Sequence, residues 1–499
     1  MHMIHFISGT ILLMLVSTGI HLQGQEPVVR EQEKPFVPRW VKDAIFYQIF
    51  PERFANGDPS NDPPGTEPWG GEPKSKNYFG GDLKGIIDHL DYISSLGVNT
   101  LYLNPIFQSN SNHKYTTDDY LKIDPAFGNE PTFQRLVDSC HARDIRIILD
   151  GVFNHTGTGF FAFNDIKVHG ANSKYLKWYN VYSLPVGPPG KPNYEAWWGY
   201  GDLPKLMTQN PEVRKYLYQV TEHWMKVGID GWRLDVPNEI PHPFWIEWRK
   251  LVKSLNPEAY IVGEIWDDGA PWLGGDQFDG VMNYRFRAAC LDFFVTGKKN
   301  AFEFDTSLAA TRAMYSEDAN CGMQNLLGSH DTERLLTLCR GDKEKMKLAW
   351  LFQMTYVGAP MVYYGDEIGM MGGKDPGCRG TMVWDKDKQD RDLLEFMKTL
   401  IRLRREQLPL RQGSFEMLAA DSLSNVCSFV RRSPEAGCLV VLNNSRKQQT
   451  VRIQLSGQES GRRWTQVWPQ REDGVILHDN SLQTTVPAMS GIVFSGGKE

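Results

Sequence analysis

The sequence predicts a (β/α)8 barrel followed by a small all-β domain. Three observations carry that reading. Eight short apolar runs each end in polar residues, stretches with helical spacing separate several of them, and after about Leu410 the rhythm changes to short alternating strands. A doubly wound sheet is the alternative, but no G-x-G-x-x-G follows the first run.

The predicted barrel strands are, in order, Ala44–Phe50, Val98–Asn104, Arg146–Phe153, Gly231–Val236, Tyr260–Trp266, Gly280–Tyr284, Met323–Gly328 and Pro360–Tyr364. Helical patterns lie over Lys84–Leu96, Thr132–Arg143, Pro211–Val227 and Pro243–Leu255. Asn210-Pro211 and Pro241-His242-Pro243 put proline where a helix start tolerates it. Residues 155–205, rich in Gly, Asn, Pro and aromatics, read as a subdomain inserted after the third strand. Predicted strands Val426–Arg431, Cys438–Leu442, Thr450–Leu455 and Gly491–Phe494 make the C-terminal part an antiparallel β-sandwich. The expected division is a signal peptide over 1–25, a linker over 26–39, the barrel over 40–410 and the sandwich over 411–499.

The chain has 499 residues, 41% hydrophobic and 23% charged, the mix of a folded globular protein. A formal charge of −6 supplies no basic field for nucleic acid. Phe6–Ile20 is uncharged and mostly apolar, shorter than the roughly 20 residues that span a bilayer, and fits the core of a signal peptide. A secreted or periplasmic protein with no membrane span in its mature form is the expectation. The seven cysteines are scattered without a C-x-x-C pair, so buried thiols are expected rather than a disulfide scaffold or zinc site.

Polar residues gather where the predicted barrel strands end, the place where barrel enzymes build their sites. Strand three ends in Asp150-x-x-x-Asn154-His155, strand four in Arg233-x-Asp235, strand five in Glu264 and strand seven in His330-Asp331. Arg233 and Asp235 alternate to one side of a strand, so the guanidinium can hold its partner ionised, as a nucleophile requires. Glu264 at the next strand end is free to occupy a drier spot and act as acid. Two carboxylates flanking a scissile bond are the device of glycosidases, and a nucleophile/acid pair gives retention. Unaided, the residues lead to a barrel glycosidase and name no sugar.

Asp150-Gly-Val-Phe-Asn-His155, Gly231-Trp-Arg-Leu-Asp-Val236, Gly263-Glu-Ile-Trp266 and Leu327-Gly-Ser-His-Asp331 resemble, in order, the four signature regions of the α-amylase family, glycoside hydrolase family 13. The resemblance runs from about Ala44 to the C-terminus. It implies Asp235 as nucleophile, Glu264 as acid/base and Asp331 as the carboxylate that holds the distorted sugar. His155, Arg233 and His330 would line the same subsite, beside His113 and the stacking Tyr115. Asp150 would support the nucleophile, and Asp375 with Arg379 would grip the terminal glucose.

Within the family, Gly199-Tyr-Gly-Asp-Leu203-Pro-Lys-Leu206 and Pro237-Asn238-Glu239 resemble the neopullulanase, cyclomaltodextrinase and maltogenic amylase group. The implied substrates are cyclodextrins, maltooligosaccharides, pullulan and starch, cut at α-1,4 and also α-1,6 bonds. Trp197, Trp198 and Trp266 are candidate stacking platforms.

Asn56, Asp58, Asn61, Asp62, Gly80 and Asp82 put oxygen donors of the kind Ca²⁺ takes into one Gly/Pro-rich region. The resembled group has a structural calcium site at matching residues. That group also carries a β-domain ahead of the barrel, on which its dimer is built; here residues 26–39 stand in that place, and a more open cleft is expected. A transglycosylase of the same fold, and a non-catalytic relative, are the rival readings. The retained Asp235, Glu264 and Asp331 argue against the second.

Overall fold

The computed structural model describes residues 35–455, 463–476 and 480–497. The expected signal peptide, and all but the end of the linker, lie outside the described residues.

The eight barrel strands are β1 (Phe46–Ile49), β2 (Thr100–Leu103), β3 (Arg146–Gly151), β4 (Gly231–Leu234), β5 (Tyr260–Gly263), β6 (Gly280–Val281), β7 (Gln324–Leu326) and β8 (Ala359–Tyr363). They form one parallel sheet in the order β6-β5-β4-β3-β2-β1-β8-β7. A parallel bridge between Met282 and Gln324 joins the two ends and closes the barrel. All eight predicted strands are present. The sixth is cut to two residues because Asn283 turns the chain into the helix Tyr284–Cys290, accepting a hydrogen bond from the Phe286 amide at 3.0 Å.

Alternation along the strands sorts the side chains. Phe46, Tyr102, Ile148, Tyr260, Val262, Leu326 and Met361 fill the barrel interior. Tyr47, Leu101, Leu103, Ile147, Leu149, Trp232, Leu234 and Ile261 belong to the larger core that includes the surrounding helices. On the inward side the character changes along each strand. Phe46 gives way to Gln48, Tyr102 to Asn104, Ile148 to Asp150, and Val262 to Glu264. The barrel is therefore apolar at its floor and polar at the C-terminal mouth.

The inserted subdomain holds one helix, Phe161–His169, and several 3-10 turns. A bridge from His155 to Lys205 pins its two ends together, and one from Ala196 to Pro204 closes a loop within it.

Among the described residues eight strands follow the barrel, where four were expected: β9 (Ser414–Asp421), β10 (Val426–Arg432), β11 (Ala436–Asn443), β12 (Gln449–Gln454), β13 (Arg463–Trp468), β14 (Gln470–Ile476), β15 (Ser481–Val486) and β16 (Ser490–Gly497). Six of them pair antiparallel in the order β9-β10-β11-β16-β13-β14, and β12 with β15 forms a separate hairpin. The middle strands of the six-stranded sheet, β10, β11 and β16, have both faces covered. Cys427, Phe429, Cys438, Val440, Leu442 and Val493 pack into the barrel's helical core. The alternate residues Val426, Val430, Leu439, Val441, Ile492 and Phe494 pack against Ile453, Leu482 and Val486 of the hairpin.

All seven cysteines are free thiols, six of them buried. No helix among the described residues is long and apolar enough to cross a membrane.

Candidate active site

At the mouth of the barrel, Arg233 is the centre of a charge cluster. Its Nη1 donates to both oxygens of Asp150, at 2.7 and 2.9 Å, and to Oδ1 of Asp235 at 3.0 Å. Its Nη2 lies 2.9 Å from Oε2 of Glu264. The expected Arg233–Asp235 pair is present, but the expectation that it holds Asp235 ionised needs correction, since one buried guanidinium serves three carboxyl groups. The reason is register: β3, β4 and β5 are adjacent, Asp150 stands opposite Arg233, and Asp235 and Glu264 lie side by side one inward step further toward the mouth, within reach of the long guanidinium.

All four residues are buried, and one cation faces three carboxyl groups. Burial, opposed by Arg233, pushes the Asp235 carboxyl well above the usual range and raises those of Glu264 and Asp150. A cluster this dry holds a proton that bulk water would remove. The hydrogen bonds differ between the two carboxyl groups. Glu264 Oε2 also accepts from the Val236 amide at 3.1 Å, and its Oε1 accepts from Trp266 Nε1 at 3.0 Å. Asp235 Oδ2 has no donor among the described residues, so it keeps a lone pair for an incoming electrophile. Val236 itself sits at φ 34°, ψ 50°, a strained conformation for a β-branched residue and one that aims its amide at Glu264.

A hydrogen-bonded chain leads from this cluster to the third carboxylate. Asp150 Oδ2 accepts from the hydroxyls of Tyr102 at 2.8 Å and Tyr115 at 2.9 Å. The Tyr115 hydroxyl lies 2.6 Å from His330 Nε2, and the two rings are stacked with 5.6 Å between centroids. Burial pushes the His330 imidazole well below its usual value, so it is neutral at pH 7. Gln48 Nε2 lies 2.8 Å from its Nδ1, and with that amide as the donor Nδ1 must accept. The proton therefore sits on Nε2, which faces Tyr115 and, at 3.1 Å, Oδ2 of Asp331. Arg379 donates from Nη2 to Asp331 Oδ1 at 3.1 Å and from Nε to the His330 carbonyl at 2.9 Å, and its Nη1 pairs with Asp375 at 3.2 Å.

The remaining candidates line the rim. His113 lies beside Tyr115, and its Nδ1 accepts from the Tyr115 amide at 3.1 Å. His155 stacks on Trp197. Burial pushes both imidazoles down to about 3, so both are uncharged. Trp266 is half exposed, with one face covered by Tyr284 at 3.8 Å and its N–H committed to Glu264. Gln48, Tyr102, Asn104 and Tyr284 were not among the sequence candidates. A glutamine inside the apolar run AIFYQIF was the one available signal for the first of them.

With this geometry in view, comparison with known proteins is decisive. Residues 48–405 match the alpha amylase catalytic domain, and residues 419–497 match the alpha amylase C-terminal all-beta domain. The chain belongs to the α-amylase family. Neopullulanase 2 of Thermoactinomyces vulgaris is 50% identical over 477 residues, 95% of this chain and 81% of that protein. A cyclomaltodextrinase from a Bacillus species is 52% identical over 427 residues, 85% of this chain and 76% of that one. Among solved structures, the ligand-free cyclic α-maltosyl-(1→6)-maltose hydrolase of Arthrobacter globiformis superposes with a TM-score of 0.85 at 41% identity, covering 93% of this chain and all of that one. The α-amylase family is retaining, in accord with two buried carboxyl groups held by one guanidinium.

The loop expected to take calcium is compact. Asp82 caps the helix Leu83–Asp88 and accepts from the amides of Asp58 at 2.8 Å and Gly85 at 2.6 Å. The Asp58 carboxylate is engaged by Ser60. Asn56 donates to Asp62 Oδ1 at 2.8 Å, while the side-chain oxygens of Asn56 and Asn61 are buried with no partner. A Cβ on Gly80, at φ 81°, would fall 2.2 Å from Asp62 Oδ1, so glycine is required there. Orphaned amide oxygens beside a carboxylate fit a hard cation. No group of three His, Cys, Asp or Glu side chains suited to a metal occurs among the described residues, so an ion here would rest largely on amide and main-chain oxygens.

Proposed function

We propose that this protein is a retaining α-glucan hydrolase that acts on maltooligosaccharides, cyclodextrins and pullulan, at α-1,4 and α-1,6 linkages. The observation that carries the reading is Arg233, whose two Nη atoms hold Asp235 and Glu264 side by side while leaving Asp235 Oδ2 without a donor. In the first step Oδ2 bonds to the anomeric carbon as the bond to the leaving sugar breaks, and Glu264 delivers its proton to the departing oxygen. In the second, water attacks the same carbon, Glu264 takes the water's proton, and Asp235 is released as carboxylate. Two inversions leave the configuration retained. Asp331, oriented by His330 and Arg379, accepts hydroxyl hydrogens of the bound ring. The neighbouring neutral imidazoles add hydrogen bonds without adding charge.

The relatives named neopullulanase and cyclomaltodextrinase support the substrate class. In the same reading the loop of Asn56, Asp58, Asn61, Asp62, Gly80 and Asp82 holds a calcium ion that stiffens the chain after β1 and takes no part in the chemistry.

The test is a digest of γ-cyclodextrin, pullulan and maltotriose, with product anomers followed by NMR. Products in the α-configuration are expected first. Glu264→Gln should lower kcat by about 10²–10⁴-fold. Initial β-anomers, or a near-normal rate in Glu264→Gln, would overturn the mechanism.

A further inference from the structure

Four rings run outward from the catalytic pocket. His155 stacks on Trp197 at 5.9 Å and 29°, Trp197 stacks on Trp198 at 5.1 Å and 16°, and Tyr200 lies at 5.9 Å and 28° from Trp197. The inner end is dry, with His155 only 2% exposed, and the outer end is wet, with Trp198 77% and Tyr200 60% exposed. Trp198 buries little, so packing does not explain its presence. Its backbone is also strained, at φ 46° and ψ 26°, a conformation that large side chains avoid. The turn thus holds an indole face in water in an unfavourable conformation, a combination that marks functional positions. A second observation points to a ligand. His155 Nδ1 faces the Asn154 amide, yet its Nε2, like Trp197 Nε1, is buried without a partner. A buried indole N–H and an unpartnered imidazole nitrogen at the inner end of an aromatic ladder suit a ligand that offers hydroxyl groups and flat C–H faces together, as a glucosyl chain does.

We propose that Trp197, Trp198 and Tyr200 form a stacking platform for glucosyl units of the same α-glucan chain beyond the unit being cleaved, and that this platform gives the enzyme a preference for long chains. The proposal rests on the α-glucan reading above and adds a chain-length function on the inserted subdomain. Continuity with His155 assigns the platform to substrate rather than to a protein partner.

The experiment compares kcat/KM on amylose and maltotriose for wild type, Trp198→Ala, Trp198→Gly, Trp198→Phe and Tyr200→Ala. Calorimetric binding of maltoheptaose to Glu264→Gln is measured with and without Trp198→Ala. The amylose-to-maltotriose ratio should fall about tenfold in the alanine and glycine variants, the size of one lost ring stack, and should be largely restored by phenylalanine. Trp198→Gly should melt no lower than wild type, since glycine relieves the positive φ. An unchanged ratio, an equal loss on both substrates, or a lowered melting temperature with equal losses in Trp198→Gly would overturn the platform. Inactivity of the wild type on every α-glucan would remove the hydrolase reading. The calorimetry then judges the platform by itself: binding weakened by Trp198→Ala upholds it, and unweakened binding ends it. Should Trp198→Ala not fold, Tyr200→Ala gives the same readout.

Discussion

Arg233 shows how one residue ties catalysis to stability. Three carboxyl groups around one buried guanidinium leave excess negative charge, and burial raises the Glu264 carboxyl above its ordinary range. A carboxyl raised in the folded state binds a proton that the unfolded chain has lost. Its contribution to stability is complete below the unfolded value and disappears as pH rises through the folded one. Glu264→Gln removes that dependence. Its melting temperature should therefore exceed that of wild type by about 2 °C or more at pH 8, with the gap closing toward pH 4. A gap that does not change with pH in a thermal-shift series would contradict this account. The residues of the four motifs were legible because strand ends place such side chains at a barrel mouth. Gln48 and Tyr102 were less so, because each is one polar atom on a side chain that otherwise reads as core. Their role appears only once Asp150 and His330 are seen between them.

Element by element, the parallel strands were easier to read than the antiparallel ones. Barrel strands such as Arg146–Gly151 are short apolar runs that close on Asp or Glu, whereas Arg463–Trp468 and Ser481–Val486 scatter Trp, Val and Leu among Thr, Gln, Ser and Arg. Bulges at Thr465/Val467 and Gln466/Trp468 further break the period-two pattern. Loop residues with an exact backbone demand stand out differently. Gly80 combines φ 81° with contacts that leave no room for a methyl group. Gly80→Ala should destabilise the protein by about 2 kcal/mol or more, from the left-handed backbone and the clash with Asp62 together. With the calcium reading, the wild type should lose melting temperature in EDTA and regain it with added Ca²⁺, and Gly80→Ala should show a smaller response. An EDTA-insensitive wild type would remove the ion and leave the cost of the methyl group in place.

At the scale of the whole described chain, the barrel and the C-terminal sheet share one core, and a buried arginine fastens them. Arg431 on β10 donates to the carbonyls of Ser414, Thr355, Leu410 and Gly413, all within 3.1 Å, so that one guanidinium joins a barrel helix, a connecting helix and the sheet. Its own burial pushes its pKa down to about 10. Arg404 nearby does the same for Met354, Tyr356 and Gly358. Arg431→Met keeps the bulk but leaves four carbonyls without this donor. A loss of about 3 kcal/mol or more is expected, read as a lowered urea midpoint. A near-wild-type midpoint would show that water replaces the guanidinium. Nothing in the local sequence of β10 distinguishes Arg431 from the partly exposed Arg432 beside it, because the difference arises from carbonyls 17 to 76 positions away.

The two-sided burial of the six-stranded sheet has a consequence for modularity. Cutting the chain ahead of Ser414 would bare a wall of Leu351, Phe352 and Tyr356 on one fragment and of Phe415, Phe429 and Leu442 on the other. Neither fragment should stay dispersed by itself. A graft of this catalytic scaffold onto another protein must carry its tail along, and a chimaera that borrows a tail from a cousin must inherit the helices it leans on as well.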